Sequence, residues 1–194
     1  MTSQVRDTIL RSAAVLERMA ADAEACATIA AIVDVSVATL TRGGKLLFCG
    51  NGGSAADAQH WSGELVSRFM YDRPGLAAIA LTTDTSVLTA IGNDYGYDYS
   101  FARQVEAIGA PGDVLFAIST SGRSGNVLAA LRAARAKGMP TAGFTGESGG
   151  EMPGLCDHCL RVPTDITPQI QEAHEVAGHA ICAMIEQRMF PRGA

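Results

Sequence analysis

Cys49-Gly50-Asn51-Gly52-Gly53-Ser54-Ala55-Ala56-Asp57-Ala58-Gln59-His60, with Glu64 four residues on, decides how this chain of 194 residues is read. The run Lys45-Leu46-Leu47-Phe48 before it has the composition of a strand, the glycines end that strand, and a helix follows. His60 and Glu64 stand at i and i+4, so they share one helix face. A glycine-rich loop thus leads directly into two side chains able to bind a metal or move a proton. Ser119-Thr120-Ser121-Gly122-Arg123-Ser124 repeats the order of strand, polar loop and helix.

Working outward, alternating strands and helices fill the chain beyond Gly43-Gly44. Strands are expected over 45–50, 77–81, 114–119, 140–145 and 159–162, and helices over 54–69, 84–91, 98–108, 124–137 and 168–189. Short apolar strands separated by helices imply an α/β fold, a three-layer αβα sandwich around a five-stranded parallel sheet. Ligands bind such sheets outside the carboxyl ends of the strands, where both loops lie. Apolar residues at helical spacing make 3–40 one bent helix or two, an N-terminal helical arm over 1–42 that packs on the body or on a partner subunit. Residues 1–194 are expected to form one domain, with 189–194 ending the last helix as a frayed tail.

Composition excludes several classes. The net charge of -5 leaves no electrostatic footprint for nucleic acid or an anionic membrane. No secretory signal opens the chain, and no run is expected to reach the roughly 20 apolar residues of a membrane span. Five scattered cysteines argue against a disulfide framework and for reduced thiols, hence a cytoplasmic location. An acidic protein can still bind a small anion at loops and helix ends.

Four hydroxyls in the six residues 119–124, at a helix start with free N–H groups, make a phosphate site in physical terms. The plainer alternative is an ordinary helix cap with Ser124 as N-cap. Gly50, Gly52 and Ala55 match G-x-G-x-x-A, but no acidic residue follows about 20 positions on, as dinucleotide binding requires. The glycines are better read as letting backbone amides approach a sugar or close a tight turn. On the last helix Gln171, Glu172, His174, Glu175 and His179 interrupt an apolar pattern and need partners: a metal, a substrate or another subunit. Gly92-Asn93-Asp94-Tyr95-Gly96 reads as a turn that could also present Asn93 and Asp94 to sugar hydroxyls. Cys156-Asp157-His158-Cys159 has C-x-x-C spacing without a second pair, and reads as structural or incidental thiols. Trp61 is expected to pack in the core.

With Gly50-Asn51-Gly52-Gly53-Ser54-Ala55-Ala56-Asp57, Arg73-Pro74-Gly75, Ala90-Ile91-Gly92-Asn93-Asp94, the Ser119-Thr120-Ser121-Gly122 loop, and Ile170-Gln171-Glu172 followed by His174 and His179, the chain resembles the phosphoheptose isomerases of the sugar isomerase (SIS) fold from about residue 43 to 190. The resemblance implies conversion of sedoheptulose 7-phosphate to D-glycero-D-manno-heptose 7-phosphate, a first step toward the heptose of lipopolysaccharide or other surface glycans. It implies a homotetramer with sites between subunits, and one zinc ion on His60, Glu64, Gln171 and His179. It places substrate contacts at Asn51, Gly52, Gly53, Glu64, Asn93, Asp94, Ser119, Thr120, Ser121, Ser124 and Gln171.

Moving a proton between C1 and C2 through an enediol needs a base and an acid, for which Glu64 and His179 are the candidates. The competing class is a non-catalytic SIS protein that senses a phosphosugar or associates with a replication initiator. The full set His60, Glu64, Gln171 and His179 favours the enzyme.

Overall fold

The structure is a computed structural model and describes residues 1–192; the last two residues of the expected tail, 193 and 194, lie outside the described residues. Five strands, β1 Leu46–Gly50, β2 Ala78–Ala80, β3 Val114–Ile118, β4 Thr141–Thr145 and β5 His158–Arg161, form one parallel sheet in the order β2-β1-β3-β4-β5. Seven α-helices surround it: α1 Thr2–Ala21, α2 Ala23–Thr41, α3 Gly53–Val66, α4 Thr85–Asp94, α5 Ala102–Ile108, α6 Gly125–Ala136 and α7 Thr167–Met189.

The pleat sorts the strand side chains into two cores. Leu46, Phe48, Val114, Phe116, Ile118 and Phe144 face α2, α3 and α7. Leu47, Cys49, Leu115 and Ala117 face α5 and α6. β1 therefore hands its chain to a helix on one face, while its neighbour β3 hands its chain to a helix on the other. The carboxyl ends of β1 and β3, paired at Gly50 and Ile118, diverge at the switch point where such sheets bind ligands.

Asp22 separates α1 from α2, its side chain accepting the Glu24 amide as an N-cap. Val15 and Met19 of α1, and Ile32, Val33 and Leu40 of α2, join the core on the α7 side. Each large apolar side chain buried this way contributes about 1.5–3 kcal/mol. The expectation that no segment is a membrane-span candidate needs correction. By length and composition α2 is long and apolar enough to cross a membrane, with a mean hydropathy of 1.6. In the fold its apolar stripe lies against the sheet and α7.

The segment expected as a turn over 92–96 is instead the last turn of α4 followed by Gly96 at φ 88°. Asp84 caps that helix by accepting the Val87 amide at 3.0 Å, and Asn93 donates to Asp94 rather than to the backbone, so the helix continues through both. The helix expected over 98–108 divides into a short 3-10 turn, Tyr97–Tyr99, and α5. The helix expected over 54–69 stops at Val66.

Candidate active site

Gly52, at φ 58°, turns the chain from β1 into α3 and serves as its N-cap. The loop is then fixed sideways. Asn51 and Asn126 exchange amide hydrogen bonds of 2.8 and 2.9 Å, and Tyr97 donates to Asn51 Oδ1 at 2.8 Å. Asn126 lies buried in the first turn of α6, so this pair joins the glycine loop of β1 to the hydroxyl loop of β3. The Asn51 side chain is committed to that junction, which leaves Gly52 and Gly53 as the exposed part of the loop.

The hydroxyl loop answers the question of capping. Ser124 is the N-cap residue of α6, but its side chain makes no cap bond; its Oγ lies 2.9 Å from Ser119 Oγ. The first intrahelical bond reaches Ser124 O from Leu128 N, which leaves the three amides between without helical partners. Thr120, Ser121 and Arg123 line a cavity of about 200 Å³ with Gly146, Ser148, Thr167 and Ile170, and with the carboxylates Glu147 and Asp165. Amides without helical partners, a positive helix end and several hydroxyls give this loop the chemistry of an anion site.

The second centre lies between α3 and α7. His60 and Glu64 come from α3, His179 from α7, and one ligand atom of each lies within 4.8 Å of the others. His60 Nε2 is 2.9 Å from His179 Nε2 and 3.5 Å from Glu64 Oε1. Glu175 Oε1 stands 3.0 Å from His60 Nε2 and 3.1 Å from His179 Nε2. A single proton can serve only one of these contacts at a time, whereas a cation among them serves all. Two imidazole nitrogens with a carboxylate oxygen are a donor set for a divalent transition metal. Nearby, Asp57 Oδ2 is buried without a hydrogen-bond partner. Burial, with Glu175 adding to it and His60 opposing, pushes the Asp57 carboxyl up to about 6.

Glu175, one of the polar breaks on the last helix but not among the expected ligands, stands at the centre of the site. One turn before His179, it occupies the α7 face between Gln171 and His179, and its Oε2 accepts from Trp61 Nε1 at 2.9 Å. Trp61 is a core residue as expected, and through this bond it also orients the carboxylate between the histidines. Its position next to His60 on α3 was the available signal. The Gln171 amide, about two turns of α7 before His179, packs over Gly53. His174 faces the other way, fully buried against Phe144, with Nε2 3.2 Å from Thr145 O.

An open cleft of about 570 Å³ reaches His60 and Glu64, bordered by Gln59, Gly63, Ser67 and Arg68. Asn93 and Asp94 are not brought to it within this chain. Asp94 lines a different cleft of about 550 Å³, with Ile79, Val87, Ile91, Tyr95 and Arg103.

The SIS domain profile matches residues 10–146. A phosphoheptose isomerase of Burkholderia pseudomallei strain 1710b is 56% identical over 186 residues, covering 96% of this chain and 94% of that protein. A solved phosphoheptose isomerase from Neisseria gonorrhoeae is 43% identical with a TM-score of 0.86, covering 96% of this chain and 98% of that one. Another, from Francisella tularensis, is 38% identical with a TM-score of 0.90, covering 96% and 99%.

Proposed function

The chain belongs to the SIS domain family and, within it, to the phosphoheptose isomerases, and from that premise we infer that it converts sedoheptulose 7-phosphate to D-glycero-D-manno-heptose 7-phosphate through an enediol. The observation that carries the reading is the convergence of His60, Glu64 and His179 from two helices, beside a hydroxyl loop on the neighbouring strand.

The hydroxyl loop holds the phosphate, through the Ser119, Thr120, Ser121 and Ser124 hydroxyls and the first amides of α6. From Ile170, beside that loop, to His179 the axis of α7 rises about 13 Å. A seven-carbon chain laid along it, over Gly52, Gly53 and Gln171, brings C1 and C2 to Glu64 and His179. Anchoring the far end supplies orientation at the reacting end. Glu64 takes the proton from carbon, and His179 supplies one to the carbonyl oxygen. His60, Glu64 and His179, with Gln171 as a fourth donor, would hold zinc, which when bound polarises substrate oxygens. A carboxylate on zinc is a poorer base, so Glu64 acts as base when it is not a ligand, and His179 gives its proton from the ring nitrogen that does not face the metal.

We read the assembly as a homotetramer with sites between subunits, completed by Asn93 and Asp94. Its support is the exposed apolar surface of Val5, Ile9 and Leu10 on α1 and the apolar cleft beside Asp94. The product would enter synthesis of a heptose-containing surface glycan. Five free thiols suit work in the cytoplasm.

The test is incubation with sedoheptulose 7-phosphate in D₂O, followed by NMR, with Glu64→Gln alongside. Aldoheptose phosphate carrying deuterium at C2, absent with the variant, is the expected result. Turnover by Glu64→Gln near the level of the unmodified protein would remove Glu64 from the role of base.

A further inference from the structure

Cys156 and Cys159 lie outside the site described above, and their spacing alone suggests incidental thiols. The fold brings them together. Gly143 on β4 pairs with Cys159 on β5, and the side chain that Gly143 lacks leaves a hole that both sulfurs fill. A Cβ on Gly143 would stand 2.5 Å from Cys156 Sγ and 3.2 Å from Cys159 Sγ. The two thiols are neighbours in that hole, and both are half-buried.

The pair is unsymmetrical. The neighbouring Cys159 thiol, with burial, pushes the Cys156 thiol far up. The Cys156 thiol in turn lowers Cys159 against the effect of burial, helped by the Thr145 hydroxyl and by Arg161. Cys159 also lines a cleft of about 190 Å³ at the edge of the sheet, with Asp22, Glu24, Glu147 and Arg161. A small solute that enters this cleft reaches the edge strand that carries Cys159, the more acidic thiol of the pair. That is the arrangement of an attacking and a resolving cysteine.

The segment before Cys156 leans on the hydroxyl loop. Gly146 N donates to Thr120 O and Glu151 N to Gly122 O, both at 2.9 Å. Cys156 N donates to Met152 O at 2.9 Å, so the chain runs from this contact straight into the cysteine pair.

We propose that Cys156 and Cys159 are a redox-active dithiol that peroxide closes to a disulfide, and that closure weakens substrate binding through the contact of 146–152 with the hydroxyl loop. Cys159 thiolate attacks hydrogen peroxide: an S–O bond forms, the O–O bond breaks and hydroxide leaves, taking up a proton to become water. Cys156 then attacks the sulfenic sulfur: the S–S bond forms, the S–O bond breaks and a second water leaves. Two thiols are oxidised and one peroxide is reduced.

The part concerning substrate rests on the isomerase reading; the disulfide does not. The full chain is treated with hydrogen peroxide and alkylated, and its thiols are counted after unfolding, while affinity for sedoheptulose 7-phosphate is measured by calorimetry. The expected result is a fall from five free thiols to three, a peptide joining Cys156 to Cys159, and reversal by dithiothreitol. The dissociation constant rises several-fold, and Cys156→Ser, which cannot close the disulfide, binds like the untreated protein before and after peroxide. Five surviving thiols, or sulfinic acid at Cys159 without the link, overturn the disulfide. Unchanged affinity in the linked protein, or the same rise in Cys156→Ser, overturns the coupling. A reduced protein that never binds the sugar phosphate counts against the isomerase reading and the coupling, and the thiol count still decides the disulfide.

Discussion

Arg73 Nε lies 3.0 Å from Glu186 Oε1 in an ion pair that is almost wholly buried, and the pair locks the two helices of the site together. Arg73 also donates to Glu64 O at 2.8 Å and to Leu65 O at 2.6 Å, the open carbonyls at the end of α3. Glu186 on α7 accepts the Phe69 and Met70 amides at 2.8 and 2.7 Å. One guanidinium therefore holds the helix that carries His60 and Glu64 against the helix that carries His179.

Removing one partner strands the other charge in the core. Glu186→Ala and Arg73→Ala are each expected to cost about 3–5 kcal/mol, read from urea unfolding. Arg73→Met with Glu186→Leu should recover part of that loss, since no lone charge remains. A single variant within 1 kcal/mol of the unmodified protein would show that the pair is not structural. Burial pushes the Glu186 carboxyl up, but the Phe69 and Met70 amides and Arg73 outweigh it and hold it low. Its contribution is therefore present above the ordinary carboxylate range and lost as pH falls below it.

His174 gives stability a second dependence on pH, at a higher window. Burial lowers it from 6.5 to about 4, against the bond to Thr145. The unfolded chain takes up the proton first, so stability is full above pH 6.5 and declines as pH falls toward 4. The loss from this residue is roughly 3 kcal/mol across that window. Urea unfolding at pH 7.5 and 4.5 should show a steep loss in the unmodified protein and a shallower one in His174→Leu, whatever that variant's stability at pH 7.5. Parallel losses would assign the effect to other groups.

If His60, Glu64 and His179 hold a divalent ion, zinc must stabilise the fold as well as the activity. At a hundredfold excess over its dissociation constant it should add about 2.7 kcal/mol. For a chain of this size that raises Tm by roughly 5–10 °C. A chelator should abolish the rise, and His179→Ala should show none. An equal rise in that variant would place the ion elsewhere.

The sheet and its helices were legible because the strands at 46–50 and 114–118 are continuous apolar runs ending in polar loops, and a parallel sheet leaves little choice about where loops go. His60, Glu64 and His179 were legible as spacings and as polar breaks in an apolar helix. Glu175 was less so, because its role depends on Trp61, and a contact between α3 and α7 has no sequence period. The end of α4 was misread for a related reason: Asn93 and Asp94 have turn composition, yet they bond to each other. The membrane-like apolarity of α2 was passed over because Glu24 and Asp34 interrupt it, while its buried stripe serves the core.

Two glycines separate packing from chemistry at this site. A side chain at Gly178 would enter the Trp61 indole, which Phe48 and Phe144 confine on its other sides. The nearest atoms to a side chain at Gly53 would be those of the Gln171 amide, the far end of a flexible chain. Gly178→Ala should therefore lose about 1–3 kcal/mol to overpacking. It should also lose activity beyond the unfolded fraction, because a displaced indole releases Glu175 from between the histidines. Gly53→Ala should keep its stability or gain up to about 1 kcal/mol, since alanine favours the helix. Its KM should rise as Gln171 swings from the path of the substrate chain. Urea unfolding and KM measured on both variants give opposite patterns if the argument holds. Equal destabilisation would mean that Gln171 is as rigid as Trp61, and an unchanged KM in Gly53→Ala would take Gln171 out of substrate binding.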